Sequence, residues 1–97
     1  MEIKLILEKS KCGKSHTTHL KEAMLVVYHW IRAEYTQLKV VMGKKECELT
    51  LFCQEQLSKS QIANIAQAIA DVCATNVRIP MRLKNGLLME MRYQAVV

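Results

Sequence analysis

Proline occurs once in this chain, at Pro80, and glycine three times, at Gly13, Gly43 and Gly86. So few breakers imply few, short loops, and no stretch has the composition of a linker. No run of about 18 apolar residues occurs, so the sequence holds no segment suited to crossing a membrane as a helix. Charges at Glu2, Lys4 and Glu8 interrupt the N-terminus where a signal peptide would need an apolar core. Without an export signal the expected compartment is the cytoplasm, and there the four cysteines stay reduced. Charge of one sign is also scarce. Fourteen basic against nine acidic residues give +5, a mild bias toward anionic partners and less than dedicated nucleic-acid binders concentrate.

What is present is the composition of an ordinary folded domain, 51% hydrophobic and 24% charged over 97 residues. That length suits one domain, 1–97, with one modest core. Ile3, Leu5 and Leu7 alternate with charged residues, which predicts a half-buried strand with Ile6 on its far face. From Thr17 the period changes, and Leu20, Met24, Val27, Ile31 and Tyr35 line one face of a helix ending near Glu34, with Ala23 and Tyr28 widening the stripe. A second helix opens at Ser58, whose partner Gln61 completes a capping box. Its buried stripe is Ile62, Ile65, Ala66, Ile69, Val72 and Cys73, and Asn76 is the expected stop.

Two hairpins complete the pattern. Alternation on both sides of Gly43-Lys44-Lys45-Glu46 sets Met42 opposite Cys47, Val40 opposite Leu49 and Leu38 opposite Leu51. Near the C-terminus, Asn85-Gly86 suggests a two-residue turn, but that register would set Met81 against Glu90 and Ile79 against Arg92. A three-residue loop, Lys84-Asn85-Gly86, instead pairs Leu83 with Leu87, Met81 with Met89, Ile79 with Met91 and Val77 with Tyr93, keeping every apolar residue on one face. The order β-α-β-β-α-β-β predicts an α+β sandwich, a mainly antiparallel sheet with two helices on one face, as a ferredoxin-like variant with an added strand. Pro80 resists this arrangement, because a strand flanked on both sides has no place for a residue lacking an N–H.

Chemistry is thin. Gly13-Lys14-Ser15 resembles the end of a phosphate-binding loop, yet Glu8 stands where such a loop needs its first glycine. Cys12, His16 and His19 are of metal-ligating types, but the spacing is loose and a fourth ligand is lacking. Cys12 lies among lysines with His16 near, without a third group to orient them. Cys47, Cys53 and Cys73 fall on core positions, and the methionines read as core filler. No carboxylate pair suggests acid–base work. The expectation is therefore no enzyme, no metal and no cofactor.

The uncovered sheet face is the expected working surface. It presents Ile6, Lys39, Val41, Phe52, Arg78, Arg82, Leu88 and Arg92, with Arg78 and Arg92 directly opposed. Phe52 is its one aromatic, and no Arg/Lys-Gly-aromatic motif of a base-stacking sheet accompanies it. The functional expectation is a small non-enzymatic binding or adaptor module that uses this face, self-associating as a dimer or engaging another protein. The alternative is a nucleic-acid binder using the face's arginines and Lys39, flanked by Lys9, Lys11 and Lys14.

Overall fold

The computed structural model describes residues 2–8, 16–31, 36–54 and 56–95. Seven elements run in the order β1 (Glu2–Glu8), α1 (His16–Trp30), β2 (Thr36–Met42), β3 (Glu46–Cys53), α2 (Lys59–Cys73), β4 (Val77–Arg82) and β5 (Leu88–Tyr93). The fold is α+β. Five strands form one antiparallel sheet in the order β2-β3-β1-β4-β5. Among the described residues, no helix is long and apolar enough to cross a membrane.

Alternation decides which residues go inside. Ile3, Leu5 and Leu7 of β1, Leu49 and Leu51 of β3, and Val77 and Ile79 of β4 all point to one face. There they share a single cluster with Ala23, Val26 and Val27 of α1 and with Ile65, Ala66, Ile69, Ala70 and Cys73 of α2. Leu20, Ile31 and Ile62 pack against it partly buried, and two expected stripe members face solvent. Tyr28 and Val72 are exposed. Each is one residue from a buried position, a rotation of about 100° around the helix axis, which carries it off the inward side. Ala70, on the other flank of the stripe, is buried.

The helix boundaries have local causes. The Ser58 side chain accepts from the Gln61 N–H at 3.2 Å, and the Gln61 side chain accepts from the Ser58 N–H at 2.8 Å, so the capping box is formed. The left-handed C-terminal position is filled by Ala74, at φ 51°, and not by Asn76. Asn76 is used elsewhere. Its carbonyl accepts from the Glu8 N–H at 3.1 Å, and its amide donates to the Glu8 carboxylate at 3.1 Å. Thr75 donates its hydroxyl to the Glu8 carbonyl. This knot fixes β4 beside β1. The first helix ends at Trp30, short of Glu34, which with Tyr35 lies outside the described residues.

Both expected hairpin registers are present. Met42, Val40 and Leu38 face Cys47, Leu49 and Leu51. Val77, Ile79 and Met81 face Tyr93, Met91 and Met89. The loop closes with the Leu83 N–H on the Leu87 carbonyl and the Gly86 N–H on the Leu83 carbonyl, each at 2.9 Å. Gly86 has φ 85°, a conformation that a side chain resists. Gly86→Val should therefore destabilise the protein by about 1 kcal/mol or more. An unchanged urea midpoint would contradict this account of the turn.

The Pro80 difficulty is resolved by a short ladder. Between β1 and β4 only Leu7↔Val77 and Ile6↔Arg78 are paired, and the pairing stops before Pro80. Pro80 stays paired with Glu90 on the other side, within six consecutive β4–β5 pairs. Beyond Arg78 the β1 ladder ends, although Ile79 remains in the core, and the outer part of the hairpin, to the Arg82–Leu88 pair, is laddered to β5 alone as a two-stranded arm. Leu83, Leu87, Met89 and Met91, expected in the core, are exposed there, while Met81 is half-buried. The register agrees with the alternation and the burial differs, because the β1 ladder ends at Arg78 and the outer hairpin is uncovered.

Candidate interaction surface

Even-numbered residues of β1, β3, β4 and β5 and odd-numbered residues of β2 form the face opposite the core. One row across the sheet reads Val41, Glu48, Ile6, Arg78 and Arg92, strand by strand. Arg78 is the centre of its electrostatics. Its guanidinium meets three carboxylates: Nη1 lies 3.2 Å from Glu90, Nη2 contacts Glu46, and Nε lies 3.3 Å from Glu8. The last is close but out of hydrogen-bond alignment. Arg92 reaches Glu90 at 3.6 Å, and Lys4 reaches Glu48 at 4.0 Å.

The opposed Arg78–Arg92 pair is therefore compensated from within the chain. Glu8 and Glu46, paired opposite each other at the ends of β1 and β3, supply charge that the expected surface omitted. Strand parity was the signal that could have placed them, since both share the face of Lys4, Ile6 and Glu48. On the whole face Glu2, Glu8, Glu46, Glu48 and Glu90 match Lys4, Lys39, Arg78, Arg82 and Arg92 in number. The net charge of +5 consequently resides off this face.

The expected site residues are only partly gathered. Ile6, Arg78 and Arg92 are consecutive neighbours in one row, and Arg82 pairs with Leu88 on the arm. Val41 and Ile6 are separated by Glu48, two strands or roughly 10 Å apart. Phe52 lies beyond Thr50 on β3, and Lys39 pairs with Thr50. Val41, Phe52 and Leu88 are exposed and Ile6 is half-buried, so the apolar groups are dispersed among charges.

A denser apolar surface lies on the other side of the arm. Met89 faces Met81, and Leu87 bonds back to Leu83, with Met91 following along β5. Leu87 is 62% exposed and Met89 46%. A second apolar surface is a groove of about 340 Å³ between the helices, lined by Leu25, Val26, His29, Trp30, Ala68 and Val72 with Glu22 at its edge.

Among the described residues, no group of three His, Cys, Asp or Glu side chains is placed to hold a metal ion. Cys12, the Gly13-Lys14-Ser15 triplet, Lys9 and Lys11 lie outside the described residues, as do the side chains of His16 and His19. Cys47, Cys53 and Cys73 are buried. Burial, with Glu48 beside it, pushes the Cys47 thiol up, which disfavours the reactive thiolate. No family model, curated protein or solved structure matches this chain.

Proposed function

We propose that this chain is a small non-enzymatic protein-binding module that works through its projecting β4–β5 arm. Arg82, Leu88 and Arg92 on the adjoining open face form the rim. The observation that carries this reading is the contiguous apolar side of the arm, Met81, Leu83, Leu87, Met89 and Met91, extended beyond the cover of the core. Apolar side chains massed on one exposed element mark contact surfaces, whereas isolated ones do not. Methionines suit such a surface because their flexible thioethers adapt to a partner. The nucleic-acid alternative draws less support from the open face, where Arg78 is held by three carboxylates and acidic groups match basic ones. In the same reading, β2-β3-β1-β4 with the two helices form a ferredoxin-like unit, and β5 is the strand added at its edge.

Affinity capture from the native host tests the function, with nuclease-treated and untreated samples compared. Proteins retained by the wild type should survive nuclease and be lost by a Leu87→Asp, Met89→Lys variant. Phe52→Asp, on the opposite face, should keep them. Release by nuclease would favour nucleic acid, and loss with Phe52→Asp alone would move the working surface to the open sheet face.

A further inference from the structure

We propose that the arm binds a second copy of the chain, joined edge to edge through β5 in a two-fold antiparallel pairing that sets Glu90 of each copy opposite Arg92 of the other. The inference rests on the arm as a binding surface and names its partner. Three observations carry it: the edge, its backbone alternation and its charges.

β5 is the outermost strand on its side of the sheet. Its sequence, Leu88-Met89-Glu90-Met91-Arg92-Tyr93, contains neither proline nor lysine, the usual guards of an exposed edge. The other edge, β2, carries Lys39 as its single charge, so no register of β2 on itself pairs opposite charges. The bond from the Leu83 N–H to the Leu87 carbonyl sets the alternation of the hairpin ladder. Residues 87, 89, 91 and 93 turn their backbone groups toward β4, and Leu88, Glu90 and Arg92 turn theirs outward.

Registers that keep apolar side chains on a common face oppose even residues with even residues. Three such registers involve the charges. One sets Glu90 against Glu90, another Arg92 against Arg92, and both are repulsive. The third sets Glu90 against the partner's Arg92, twice, by symmetry. In it the outward backbone groups of Glu90 and Arg92 bond those of the partner, and Met91 meets the partner's Met91 on the axis. Met89 meets the partner's Tyr93, so the apolar side continues across the junction. Arg92 can make the exchange, because its side chain is 75% exposed and it already reaches Glu90 of its own strand at 3.6 Å. A strand whose charges complement themselves only when inverted is suited to an isologous contact.

Disulfide trapping and sedimentation test the pairing, in a Cys12→Ser background. The axial Met91 pair is non-hydrogen-bonded, with an expected Cα separation of about 4.5 Å, inside the disulfide range of about 4.4–6.8 Å. Met91→Cys should oxidise to a covalent dimer, and Met89→Cys should not. Arg92→Glu and Glu90→Lys should each sediment at half the wild-type mass, and their equimolar mixture should return to the dimer mass, because opposite charges then face at both sites. Equal trapping at 89 and 91, a dimer that tolerates Arg92→Glu, or a mixture that stays monomeric would each overturn the register. A wild type that is monomeric at high concentration would overturn self-pairing. If the arm variant still lost its captured proteins in that case, the binding function would stand without this partner.

Discussion

Leu49→Ala should cost about 3 kcal/mol, whereas Leu87→Ala, the same deletion, should cost less than about 0.5 kcal/mol when measured dilute. Leu49 has no exposed surface and sits on β3 between Leu5 and Val40, in the middle of the core face. Removing its side chain leaves a cavity that the sheet cannot close, because both neighbouring strands hold their register through full ladders. Leu87 has nothing comparable to lose, since solvent already covers most of it. Small domains have total stabilities of about 5–15 kcal/mol, so the first variant loses a large share. Its melting temperature should fall by more than about 10 °C, with that of Leu87→Ala nearly unmoved. Urea denaturation of both variants provides the check. A cost at Leu87 approaching that at Leu49 would mean the arm is packed within the monomer, and the proposed contact surface would be lost.

That contrast also marks how far the sequence could be read. Period and turn chemistry are local, so both hairpin registers and the capping box could be derived from alternation, Gly86 and the Ser58–Gln61 spacing. Burial is not local. Met91 and Leu49 alternate with polar neighbours in the same way, and only the paths of other elements decide that one is covered. Pro80 was the available clue to the difference. It cannot donate to the β1 ladder, and that ladder stops at Arg78, two residues before it. The helix stop failed for a related reason. Asn76 suits a left-handed position, but its contacts with Glu8, distant in sequence, hold it in the junction with β1, and Ala74 takes the strained place. For the candidate surface, the face of each residue followed from parity, and the opposition of Arg78 to Arg92 was correctly placed. Of the carboxylates around them, Glu90 follows from the same parity, whereas Glu8 reads only as a charge alternating with the β1 core residues and Glu46 as part of the turn begun at Gly43.

Arg78→Ala should destabilise the protein by about 2 kcal/mol at neutral pH and low salt. The substitution leaves Glu8, Glu46 and Glu90 converging on the space the guanidinium filled. Glu8 and Glu46 are directly paired across β1 and β3, where like charges repel. Breaking a fully buried ion pair costs about 3–5 kcal/mol. The Arg78 side chain is 22% exposed and the carboxylates 36–46%, so water screens part of that loss. Two further measurements separate charge from packing. Adding Glu46→Gln to Arg78→Ala should restore roughly half the stability, because it removes one of the opposed carboxylates. Raising the ionic strength from 0.1 M to 1 M shortens the screening length from about 10 Å to about 3 Å and should narrow the gap between wild type and variant. A merely lost packing contact would respond to neither. The result also bears on function. An arginine reserved for an external anion contributes little to the free protein, so an unaffected Arg78→Ala would return Arg78 to the open-face binding surface. A destabilised variant rescued by Glu46→Gln would fix Arg78 as the residue that holds the sheet face neutral, and leave contact with partners to the arm.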